Sequence, residues 1–304
     1  MKLNTETHIN KKKIRIVIMV LLIIVSTLAL LYPTISTAWN NYRSSLLISN
    51  YIETMDNITD DKLTEIAEAA RDYNETHRFN NITDVFDDAE SELSDEYLQL
   101  LDPLDNGMMG YIDIPKINQK LIIYHGTSAS VLEKGVGHLD GTSLPIGGNG
   151  THCVLAAHRG LPGGRLFTDL DQLDIGDKFF LYVSGEILAY EIDYVLVVSP
   201  YDADALRIER ERDLVTLLTC TPYGVNTQRL LVRGSRIPFK EEDVKIEKKK
   251  HTTLNTLDVS AKAWCCEMLI LLLMFIIYGW RKLKQKNRKR GEKNNDSKTA
   301  DSIS

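Results

Sequence analysis

Cysteine is scarce: the 304 residues hold four, Cys153, Cys220, Cys265 and Cys266. The last two adjoin an apolar stretch near the C-terminus, so two remain in the body of the chain, far from a disulfide-dense secreted scaffold. Also missing are a P-loop, a dinucleotide fingerprint, a Cys-x-x-Cys pair and a His-Glu-x-x-His motif. Nucleotide, structural-zinc and zincin chemistries therefore have no residues to carry them, and no metal site is expected. Positive charge is short in the middle of the chain. Residues 33–260 carry 37 acids against 21 bases, a net −16, while residues 1–32 carry +4 and residues 261–304 carry +6. So acidic a body repels phosphate backbones, which excludes nucleic acid as a partner.

What is present begins with apolar runs. Ile16 to Tyr32 is 17 residues without a charge, about the minimum that spans hydrocarbon. That length exceeds the apolar core of a cleaved signal peptide, so an uncleaved anchor over 14–32 is the reading, behind a basic cytoplasmic tail at 1–13. Met268 to Trp280 is a second uncharged run, placing a second transmembrane helix at 261–280. Lys11, Lys12, Lys13 and Arg15 precede the first run, and seven bases from Arg281 to Arg290 follow the second. The positive-inside rule then puts both termini in the cytoplasm, including the tail 281–304, and the acidic body outside the cell membrane.

Between the anchors the pattern changes once. Residues 33–106 read as helical: Leu46, Leu47, Tyr51, Ile52 and Met55, then Leu63, Ile66, Ala67, Ala70 and Tyr73, have the spacing of two amphipathic helices after Pro33, and a third is expected within 85–101. From Gly107 to about Pro238, seven short β-branched and aromatic runs separated by Gly, Pro and Asp argue for a closed β-barrel. The charged stretch 239–260 reads as a tether.

A working thiol is the chemistry left. Cys220 ends the run Leu214–Thr219 just before Thr221-Pro222-Tyr223-Gly224, which places it at a sheet rim. A free thiol holds only a few per cent thiolate at neutral pH and needs a nearby cation. Arg229, nine residues on, suits the next antiparallel strand and could stabilise an oxyanion. The competing reading of Cys220 is a buried, inert small hydrophobe; Cys153, among Val154, Leu155 and Ala156, fits that description better. For a proton-transfer partner the body offers His77, His125, His138, His152 and His158. His158 stands where a strand meets a glycine-rich loop, but His125 and His138 also flank glycines, and spacing does not choose among them.

The residues then carry a resemblance. Thr216-Leu217-Leu218-Thr219-Cys220 resembles the active-site strand of the sortases, cysteine transpeptidases of Gram-positive bacteria. Thr221 to Gly234, Gly110 to Ile117, Gly135-Val136-Gly137-His138-Leu139 and Ala157-His158-Arg159-Gly160 are similar to the class C, pilus-assembling branch.

The resemblance implies a mainly β fold, the eight-stranded sortase barrel with N-terminal helices and a lid, flanked by the two transmembrane helices. It implies Cys220 as nucleophile, His158 as general acid/base, and Arg229 as substrate and oxyanion ligand, with Thr219 a further substrate contact. It implies no cofactor. The reaction implied is cleavage of a Leu-Pro-any-Thr-Gly-like sorting signal between Thr and Gly, then transfer of the acyl group to a lysine of another pilin. A cell-wall anchoring enzyme using a peptidoglycan precursor amine and an inactive sortase-like scaffold are the alternatives. Class C lids carry an acid that pairs with the arginine and an aromatic that covers the cysteine. Asp102-Pro103-Leu104, within 101–106, takes that place here with leucine for the aromatic.

Overall fold

The first apolar run is helical, and its helix continues through Pro33. In the computed structural model, which describes residues 3–77, 93–161, 163–245 and 281, α1 runs from Leu3 to Asn57 with Pro33 inside it. Proline removes one helical hydrogen bond and crowds the carbonyl four residues back, a cost of about 3 kcal/mol. Packing further along offsets it. Ile48, Tyr51 and Met55, three and four residues apart, share one face and are buried against Met108, Tyr111, Ile122 and Tyr124; each such side chain contributes roughly 1.5–3 kcal/mol. The first of the two expected amphipathic helices is therefore the continuation of the anchor helix.

α2 spans Asp60–Thr76, with Asp60 and Asp61 in its first turn, where the helix dipole favours acids. It buries Ala67, Ala70 and Tyr73, and Asn74 exchanges two hydrogen bonds with the backbone of Leu144, at 2.7 and 3.3 Å. α3 is one short segment, Asp95–Gln99, started by Ser94, whose hydroxyl accepts the amide of Tyr97. Residues 78–92, including part of the expected third helix, lie outside the described residues.

Eight strands close the barrel: β1 (Met108–Ile114), β2 (Gln119–His125), β3 (Val136–His138), β4 (Thr151–Ala156), β5 (Lys178–Val183), β6 (Glu186–Val198), β7 (Asp213–Thr221) and β8 (Gln228–Ile237). Around the barrel the order is β1-β2-β3-β4-β7-β8-β6-β5. Seven correspond to the expected runs. The eighth, β3, is three residues long and too short to show a period, yet it supplies the link between β2, to which it is parallel, and β4, to which it is antiparallel. Side chains alternate across the wall: Ile112, Ile123, Leu155, Leu217 and Val232 fill the interior, while Val154, Ala156, Leu218 and Leu231 lie in a second cluster on the outer face.

The strand pairings define two rims. β4 and β7 are parallel and end together, beside the start of β8 and the end of β6; we call this the thiol rim. At the far rim lie the start of β1, the ends of β2 and β3, and the β5–β6 turn.

The chain divides into two compact units, residues 1–249 and 250–304, and the first holds the helices and the barrel. Its end is no free tether: Phe239 meets Phe180 edge to face, and Asp243, in a helical segment at 241–245, is paired with Lys178 at 2.9 Å. The expected second membrane helix at 261–280 lies outside the described residues. Among those described, Val17–Asn57 is the one helix long and apolar enough to cross a membrane.

Candidate active site

β7 delivers Cys220 as its next-to-last residue, and Arg229 is its direct partner on antiparallel β8. Alternation puts both on the outer face, Cys220 two residues past Leu218 and Arg229 two before Leu231. They are 6% and 8% exposed, so water has little access to either group. Arg229 is oriented by its own turn, Nη1 donating to the carbonyls of Asn226 at 3.1 Å and Gln228 at 3.0 Å.

His158 arrives from the other side. β4 pairs with β7 as far as Ala156 opposite Leu218, and the Ala157 amide donates to the Leu218 carbonyl at 3.1 Å. His158 follows, at the thiol rim. Its loop is closed by Phe167, whose amide donates to the His158 carbonyl at 3.2 Å, and by Arg159, which bonds Thr221 beside Cys220 and pairs with Asp171. Partial burial lowers the His158 imidazole below its ordinary value, and the nearby Glu133 carboxylate opposes that shift. At neutral pH the ring is neutral, the form that can accept a proton.

The other histidines are held elsewhere. His138 is fully buried, bonded to the Tyr97 hydroxyl at 2.7 Å and the Ser143 carbonyl at 2.9 Å, and burial pushes it down to about 4. His125 lies between the carbonyls of Leu100 and Gly107, His152 between Thr216 and the Arg207 carbonyl, and His77 stacks on Tyr73. Among the described residues His158 alone stands at the thiol rim. Tertiary placement thus separates candidates that spacing left equal. Cys153 is buried inside the barrel, and burial raises its thiol well above the usual range, as an inert core residue requires.

Two expected site roles change. Thr219 points inward, is 0% exposed, and donates its hydroxyl to the Ala157 carbonyl at 2.7 Å. It fastens β7 to the residue before His158, and its side chain is turned to the opposite face of the wall from Cys220. The Asp102-Pro103-Leu104 turn precedes β1 and so lies at the far rim. The Asp102 carboxylate accepts the amides of Asn106 at 3.1 Å and Gly107 at 2.7 Å, shaping the turn into β1. An acid with an aromatic two residues on, the pattern the resemblance asks of a lid, also occurs at Asp84-Val85-Phe86, outside the described residues. Arg159 is the residue that sequence reasoning passed over; its adjacency to His158 was the available signal.

A closed eight-stranded barrel with a cysteine and an arginine facing each other across its last hairpin defines a class of protein, and comparison agrees on which. The sortase-domain family model matches residues 112–237. The structure of sortase C from Streptococcus pneumoniae is 40% identical, covers 64% of this chain and 98% of its own, and superposes with a TM-score of 0.60. Sortase C1 from Streptococcus agalactiae is 41% identical, with 64% and 99% covered and a TM-score of 0.58. Sortase D of Bacillus subtilis (strain 168) is 34% identical over 131 residues, 42% of this chain and 63% of that protein. The chain spans about three-fifths of the length of the curated relatives it matches. It belongs to the sortase family, and the solved structures it resembles are of class C.

Proposed function

We propose that this chain is a membrane-anchored cysteine transpeptidase that joins pilin subunits. The observation that carries this reading is the register of Cys220 against Arg229 on the outer face, with His158 at the end of the neighbouring strand. His158, neutral at rest, takes the proton of the Cys220 thiol; the thiolate attacks the threonine carbonyl of a Leu-Pro-any-Thr-Gly-like signal, and Arg229 stabilises the oxyanion that forms. As the Thr–Gly C–N bond breaks, His158 protonates the departing amine, leaving a thioester on Cys220. A lysine amine of a second pilin then attacks the thioester; His158 takes its proton, the C–S bond breaks as the isopeptide bond forms, and His158 returns the proton to the Cys220 sulfur. Each step uses side chains alone, without a cofactor.

α1 supplies the anchor, with the barrel outside the cell and the N-terminus inside; a second span at 261–280 would return the C-terminus to the cytoplasm. The likeness to class C structures, one described in terms of pilin substrate specificity, favours polymerisation over cell-wall anchoring. Mass spectrometry of the full chain with a sorting-signal peptide, a lysine-bearing pilin fragment and a peptidoglycan-precursor amine tests the reading. An acyl adduct absent from Cys220→Ala, followed by an isopeptide product with the pilin, is expected. Transfer only to the precursor amine would identify the anchoring enzyme, and no adduct at all an inactive scaffold.

A further inference from the structure

α1 does more than tether the barrel, because its path sets which way the barrel points. Its apolar run ends at Tyr32, and eight residues on, about 12 Å at 1.5 Å per residue, the Asn40 side chain donates to the carbonyl of Gly163. Gly163 is in the loop that follows His158 at the thiol rim. A side chain there would come within 3.3 Å of Asn40 and 3.4 Å of Ser36, so the helix and this loop touch closely. Eleven residues later, Tyr51 reaches the far rim, donating to the Met109 carbonyl and accepting the Ser184 amide. The helix therefore leaves its apolar run at the thiol rim and climbs to the far rim.

A second observation is independent of that path. On the barrel and its loops, the large apolar side chains most open to water are Ile175, Tyr201, Tyr223 and Val225, exposed by 70, 86, 60 and 64%. Ile175 precedes β5, Tyr201 follows β6, and Tyr223 and Val225 form the β7–β8 turn; every one is at the thiol rim. On α1, Trp39 and Tyr42 are 61% and 57% exposed at the same level, the amphipathic aromatics that favour a membrane–water interface.

We infer that the thiol rim docks on the lipid surface, with Ile175, Tyr223 and Val225 entering the headgroup region, so that Cys220 works on sorting signals presented at the bilayer. The occupant is lipid because these side chains continue the apolar run of α1 at a distance of two helical turns. This inference rests on the reading of α1 as a membrane span.

The full chain in nanodiscs, with Cys220, Cys265 and Cys266 changed to alanine, would carry one spin label at a time at Val225→Cys, Leu98→Cys or Val25→Cys. Collision with lipid-soluble oxygen and with a water-soluble nickel chelate is then measured. Val25 lies in the apolar run and Leu98 is exposed away from the thiol rim. Expected is strong oxygen and weak nickel contact at 225, approaching the label at 25, with the reverse at 98. If 225 behaves like 98 while 25 reports lipid, docking is refuted and the anchor stands. If 25 also reports water, the anchor reading itself fails. Shielding of 225 from both reagents, with 25 in lipid, would mean a protein covers the rim and also refutes lipid docking. In the native-cysteine enzyme, Ile175→Asp/Val225→Asp should slow turnover of a vesicle-anchored signal at least tenfold and that of a soluble peptide less than twofold; equal effects on both overturn the proposal.

Discussion

The two rims of the barrel use the same residue types to opposite ends. At the far rim, Tyr97, His125 and His138 are buried together, and the Tyr97 hydroxyl bonds His138 at 2.7 Å and accepts the Gly126 amide at 3.0 Å. Burial raises the Tyr97 phenol well above its ordinary value and holds His138 near 4, so neither group changes charge near neutral pH. This network locks α3 to the ends of β2 and β3. At the thiol rim, His158 is half-buried, and that partial burial lowers it. A histidine kept neutral by complete burial serves architecture; one at a water boundary can exchange protons. Degree of burial, more than residue type, separates a locked histidine from one open to proton exchange here.

The contrast can be broken most forcefully at His158. His158→Ala should reduce turnover of a sorting-signal peptide about 10²–10⁴-fold, the usual worth of a general acid/base, while thermal unfolding moves little. Loss of the fold in that variant would mean His158 belongs with the structural histidines. Arg229→Ala should cost about 10²–10³-fold, as for loss of an oxyanion donor, read as kcat/KM with the same peptide.

The far rim should respond in stability instead. His138 has a folded value of about 4 against 6.5 unfolded, so the unfolded chain binds the extra proton. Its stabilising contribution is complete above pH 6.5 and is lost as pH falls towards 4, about 3 kcal/mol over that window. Denaturant unfolding across this range checks it, and His138→Gln should flatten the slope. Tyr97→Phe, which leaves the Gly126 amide without its acceptor, should cost about 1–3 kcal/mol by the same measurement. Least of all is expected from Asp102→Ala: about 1 kcal/mol from a loosened turn, with peptide cleavage unchanged. Faster cleavage in that variant would restore a gating role to the turn despite its place at the far rim.

Much of this molecule could be read from the chain. Alternating runs revealed seven strands, the apolar stretch at 16–32 revealed the helix, and Cys220 beside Pro222 was legible as the end of a strand. Motif likeness put His158 forward, and the fold places it at the thiol rim. Lost to inspection were features that depend on partners distant in sequence. β3 is a strand only because β2 and β4 flank it; three residues contain too little period to be seen. The resemblance implied a substrate contact for Thr219, but pleating turns it inward to Ala157. Asp102 looked like a lid acid by order along the chain, yet a strand running the length of the barrel takes the following residues from one rim to the other.

Local chemistry, then, was determined by the sequence alone: periodicity records which residues face apolar surroundings, and proline or glycine records where strands end. The tertiary structure decided which histidine shares a rim with the thiol, how α1 survives Pro33, and which rim lies nearer the apolar run. Those outcomes depend on strand order and on packing across the barrel wall, where contacts join residues tens of positions apart and leave no periodic trace.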